Sequence, residues 1–138
     1  MIFTGEISLQ SQGDSDIIDI TSKVARQVAD SNISRGTVNL FVAGSTAGIT
    51  TIEFEPGLVA DFRNMWARLV PQNVSYDHDR RWGDGNGYSH VRASLLGASL
   101  VVPFHNKRLL LGTWQQIVVV DFDNRPRSRQ IIVQVTGE

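Results

Sequence analysis

The chain has only three histidines, and two of them, His78 and His90, bracket the segment YDHDRRWGDGNGYSH, residues 76–90. Asp77, Asp79 and Asp84 lie in the same stretch. Two imidazoles and one carboxylate make the open three-ligand set of a catalytic zinc site, so His78, His90 and Asp84 are the metal-ligand candidates. The spacing matches neither a zinc finger nor HExxH. The alternative is that both histidines order a loop through hydrogen bonds. His105, in the turn HNKR, reads as a solvated turn residue. Asp84-Gly85-Asn86-Gly87 resembles part of a calcium loop, but Tyr88 and Leu95 stand where an EF-hand needs oxygen ligands.

GSTAG, residues 44–48, has Thr46 at its centre rather than Ser, so it is not the nucleophile elbow of a hydrolase. Ser45 and Thr46 with neighbouring backbone N–H groups suit a phosphate, or else form a tight turn between strands. Arg80, Arg81 and Arg92 would add charge-assisted contacts to such an anion. Further on, LLLGTWQQIVVV, residues 109–120, is a strand-like apolar run interrupted by Gly112 and polar residues. A glycine there marks a bulge or a close backbone approach, as a packing device or as part of a site.

The elements that must position these residues are read from periodicity. In IFTGEISLQ apolar and polar residues alternate loosely, as in a strand, and SQGDSD turns the chain. Residues 19–33 carry Val24, Ala25, Val28 and Ala29 at helical spacing behind Thr21 or Ser22 as cap. TVNLFVAG and GITTIEFE read as a pair of buried strands, and Pro56 opens a helix with an apolar stripe of Leu58, Val59, Phe62, Met65, Trp66 and Leu69. Residues 71–88 lose all periodicity and predict a long functional loop. SHVRASLLG suits a short helix, and ASLVVPF, LLLGTWQQIVVVDFD and RQIIVQVTG predict a closing antiparallel meander with hairpins at HNKR and NRPRSR. The sum is a mainly β chain with two main helices, a β-sandwich.

The composition agrees with one domain over residues 1–138: 41% hydrophobic residues can fill a single core. Thirteen basic and fourteen acidic residues leave a net charge of -1, which argues against nucleic acid or an anionic membrane as partner. Without cysteine there are no disulfides or thiolate metal sites. MIFTGEISLQ lacks the pattern of a signal peptide and no segment predicts a membrane span, so a cytoplasmic location is expected.

YDHD (76–79), SHVRASLLGASL (89–100), LGTWQQI (111–117), VTGE (135–138) and, more weakly, STAGITTIE together resemble the YjbQ-like family, and the order and spacing of these segments agree with it. The resemblance implies a jelly-roll-like antiparallel sandwich, a homotrimer and, for some members, thiamine-phosphate synthase activity on small phosphorylated ligands. It makes GTWQ a signature, with Thr113, Trp114 and Gln115 facing a pocket or a subunit boundary. Trp114 suits a core anchor equally well. Gly44 and Ile52 stand where many members carry a histidine and an asparagine, as in a divergent, archaeal-like branch. The reduced constellation is one carboxylate and two imidazoles, Glu53, His78 and His90, with Glu53 and His90 as catalytic candidates and zinc or magnesium as the metal. Two rival readings follow: a trimeric protein that binds a metabolite or metal without turnover, and a metal-dependent hydrolase with Glu53 as base.

Overall fold

The computed structural model describes residues 1–138. Strands β1 (Ile2–Ser11), β8 (Arg127–Gly137), β3 (Gly36–Ala43), β5 (Ser99–His105) and β6 (Arg108–Leu109) form one antiparallel sheet, in that order. Strands β2 (Asp16–Asp19), β7 (Gln116–Asp121) and β4 (Ala47–Ile52) form the second. Four helices complete the chain: α1 (Thr21–Asp30), α2 (Pro56–Leu69), α3 (Asp77–Trp82) and α4 (Gly87–Leu96). The mainly β class therefore holds. The helices number four rather than two, and the antiparallel sheets curl into a half-barrel.

The second sheet divides the apolar interior. In β7, Ile117 and Val119 pack with α1 and the inner residues of the larger sheet. Val118, Val120 and the following Phe122 face Trp66 of α2 and Tyr88 and Ala93 of α4. A strand covered on both faces needs apolar residues at successive positions, which accounts for IVVV. By contrast β8, which pairs with β1 and β3, alternates inward Ile131, Val133 and Val135 with more exposed residues.

Three connections depart from the sequence reading. The runs either side of Gly44-Ser45-Thr46 enter different sheets, so this is a corner rather than a hairpin. NRPRSR likewise carries the chain from β7 to β8 in the other sheet; only HNKR closes a hairpin, with Asn106 and Lys107 both left-handed at φ 51 and 62°. Residues 110–115 are not strand at all, since β6 ends at Leu109 and β7 begins at Gln116. Gly112 has no positive φ, and a Cβ there would meet nothing closer than Gln115 Oε1 at 3.6 Å, so no close approach requires it.

The segment read as one long loop contains α3 and the start of α4. Gly83, at φ 74°, ends α3 in the left-handed conformation while its N–H bonds the Asp79 carbonyl at 2.8 Å. α2 starts as expected, with Pro56 in its first turn and the Glu55 carboxylate accepting from the Gly57 and Leu58 N–H groups. Trp66 is its fully buried residue, whereas Leu69 is exposed.

Candidate functional site: a histidine and carboxylate cluster beside the corner at Gly44

α3 and α4 bring the two bracketing histidines together. The rings of His78 and His90 lie 4.4 Å apart, tilted by 41°. His78 Nδ1 stands 3.5 Å from Asp79 Oδ1 and 3.5 Å from Asp84 Oδ1, and one ligand atom from each of these three residues lies within 4.8 Å of the others. Tetrahedral zinc with bonds near 2.0–2.1 Å would space its ligand atoms by about 3.3 Å, so the three fit a shared cation with little movement. Asp79 Oδ1 is already fixed by the Gly87 N–H at 2.8 Å. His78, Asp79 and Asp84 are all partly open to solvent, which leaves room for a further ligand. The sequence candidate was His78, His90 and Asp84. The geometry puts Asp79 in the set and stacks His90 over it.

At the N-cap of α4, the side chain of Asn86 is buried, its Nδ2 donating to Asp123 Oδ1 at 3.2 Å while its Oδ1 has no partner. Ser89 Oγ is likewise buried and unpartnered. Orphaned buried acceptors are uncommon and mark places where a further atom belongs.

His90 also lines a cavity of about 300 Å³ with Gly44, Ser45, Ala47 and Gly97. Ser45 is exposed at its mouth. Thr46 is not available to a ligand: its hydroxyl donates to Asp123 Oδ2 at 3.0 Å and accepts from Arg129 Nη2 at 2.6 Å. That pair belongs to a buried network absent from the sequence reading. Arg129 holds Asp121 through two bonds, Nε at 2.7 Å and Nη2 at 2.9 Å, and Arg127 Nε reaches Asp123 at 2.7 Å. Burial alone would raise the Asp123 carboxyl. Hydrogen bonds from Asn86, the Asn124 N–H, Thr46 and Arg127 outweigh it and hold the carboxyl below its ordinary range. The signal was present in DFDNRPRSR, where aspartates and arginines alternate at the end of a buried run.

The arginines disperse. Arg80 is exposed and bonded to Asp77 and Ser75, each at 3.0 Å; exposed Arg81 stacks on Trp82 at 5.5 Å. Arg92 is 3% exposed and bonds the Val70 and Trp66 carbonyls at the C-terminal end of α2, away from the histidines. Burial lowers the proton affinity of its guanidinium.

Glu53 lies beyond the far end of β4 from Thr46, about 20 Å away at the rise of a strand, and is exposed. The GTWQ segment belongs to that same end. Gln115 Nε2 donates to Thr51 Oγ1 at 3.0 Å, and Gln116 accepts from the Phe54 N–H. Trp114 is 71% exposed, which rules out a core anchor within the chain. Thr113 and Gln115 are exposed beside it. One chain therefore does not assemble Glu53, His90 and GTWQ into one pocket; they occupy opposite ends of β4.

A half-barrel of antiparallel strands with a helix-borne histidine and carboxylate cluster at one corner defines the class. The chain belongs to the YjbQ-like family: the family model "UPF0047 protein YjbQ-like" matches residues 5–138. A UPF0047 protein of Methanothermobacter thermautotrophicus is 39% identical over 137 residues, covering 99% of this chain and 94% of its own. UPF0047 protein YjbQ of Escherichia coli O157:H7 is 34% identical over 86% of this chain and 87% of its own. The crystal structure of a protein of this kind from Sulfolobus solfataricus, described as of unknown function, superposes with TM-score 0.93 at 33% identity, covering 100% and 99% of the two chains. An uncharacterised family member from Clostridium acetobutylicum gives TM-score 0.85 at 35% identity over 94% and 97%.

Proposed function

We propose that this chain is a metal-assisted member of its family that handles a small phosphorylated ligand, by transfer of the thiamine-phosphate synthase type. The supporting observation is the meeting of His78, Asp79 and Asp84, with His90 stacked on it at the edge of a 300 Å³ cavity. His and carboxylate ligands together favour zinc over magnesium. The metal, when bound, supplies positive charge to a departing pyrophosphate. In such a transfer the C–O bond to the pyrimidine diphosphate breaks, a C–N bond to the thiazole phosphate forms and pyrophosphate leaves. His78, Asp79 and Asp84 would hold the cation; His90 would orient the ligand in the cavity, and Ser45 would offer a hydroxyl at its mouth. Asn86 and Asp123 fix the start of α4, which carries His90.

The second reading, binding without turnover, is favoured by the separation of Glu53 from His90 and by Gly44 and Ile52 at the family's histidine and asparagine positions. A hydrolase with Glu53 as base loses support on the same ground. In a homotrimer, exposed Trp114 and Leu110 would meet a second copy, which makes GTWQ a subunit boundary. The deciding assay follows pyrophosphate release and thiamine phosphate formation from the two phosphorylated substrates with zinc or magnesium. The proposal expects turnover that His78→Ala abolishes. Ligand binding without turnover would establish the second reading.

A further inference from the structure

A second polar cavity, of about 520 Å³, opens between α2, the turn before β2 and the segment after α2. Two guanidiniums converge there on one residue. Arg63 Nε donates to the Ser15 carbonyl at 3.1 Å, and Arg92 Nη1 donates to Ser15 Oγ at 3.1 Å. A guanidinium has five N–H donors. Arg63 spends one within the chain and Arg92 three, with Val70 at 3.0 Å and Trp66 at 3.4 Å as the other acceptors. The ion pairs of the protein engage Arg35, Arg80, Arg127 and Arg129, and neither of these two. Arg92 is thus a buried cation without a paired carboxylate, an arrangement that costs solvation and is recovered by an anion.

We propose that Arg63 and Arg92 form a binding site for the phosphate of a small, polar phosphate monoester, separate from the histidine cluster. Paired guanidiniums with free N–H groups match a doubly charged tetrahedral oxyanion. The amides of Asn64, Gln72 and Asn73 line the rest of the cavity and suit a hydroxylated body. The carboxylate of Asp14 stands on the rim and opposes the anion, so the two arginines leave one net positive charge. His90 and Arg92 are two residues apart on α4 and therefore point to opposite faces, which makes this site independent of the metal reading.

The test is a calorimetric titration of inorganic phosphate, and separately of acetate, into protein stripped of metal by a chelator. Saturable phosphate binding is expected. Arg63→Gln, at an exposed position that does not threaten the fold, should weaken it roughly tenfold or more, and Asp14→Asn should strengthen it. Arg80→Gln, at an exposed arginine outside both cavities, should leave it unchanged. Absence of saturable binding, indifference to Arg63→Gln, an equal loss with Arg80→Gln, or acetate binding as tightly as phosphate would each overturn the assignment.

Discussion

At the residue scale the firmest electrostatic feature is Asp123. Its hydrogen bonds hold the native carboxyl below the ordinary value, so its contribution to stability is present at neutral pH. That contribution falls away as the pH drops below about 4 towards the depressed native value. Urea unfolding across that window should show falling stability, and Asp123→Asn should flatten the fall. Asp123→Ala strands Arg127, Thr46 and Asn86 without an acceptor and should cost about 3–5 kcal/mol at neutral pH. Gln115→Ala removes bonds to the Gly112 N–H and Thr51 at an exposed position and should cost no more than about 1 kcal/mol. The two glycines of interest separate cleanly. At Gly36, φ 153°, a Cβ would run into the Thr136 carbonyl of the paired strand, so Gly36→Ala should cost about 3 kcal/mol or more. Gly112→Ala meets only ordinary contacts and should stay within about 0.5 kcal/mol by the same unfolding measurement.

At the element scale, periodicity made β1, β3, β5, β8, α1 and α2 legible, because each has an apolar face at the period of its own geometry. β2 was hidden, since four residues, DIID, are too few to display alternation. α3, with six residues and no buried one, carries no helical stripe either. Which sheet a strand joins is not written in its turn: Gly44-Ser45-Thr46 looks the same whether it closes a hairpin or turns a corner. The site divides along the same line. His78, His90 and Asp84 were legible because one short segment carries them, while Asp79 had to be placed by the turn of α3. Glu53 was joined to them through the family resemblance, and β4 carries it a strand's length from Ser45 and Thr46. A helix-breaking Val91→Pro in the interior of α4 should therefore disperse the histidine pair, visible as loss of shared chemical-shift changes in the two imidazoles on metal addition.

At the scale of the whole molecule, the two ends of β4 carry different surfaces: a histidine and carboxylate cluster at one, an exposed tryptophan at the other. No helix is long and apolar enough to cross a membrane. If Trp114 meets a second copy, Trp114→Ala should shift the light-scattering mass from trimer towards monomer while the unfolding free energy of the monomer changes by less than about 1 kcal/mol, the size expected for an exposed side chain. Whether His78, Asp79 and Asp84 share a cation is decided by zinc titration into chelator-treated protein, compared between the native chain, His78→Ala and an Asp79→Asn, Asp84→Asn double variant. Stoichiometric zinc binding by the native chain is expected, with its loss in both variants and folding unchanged. Undiminished zinc binding in the variants, or none in the native chain, would remove these three residues as a metal site.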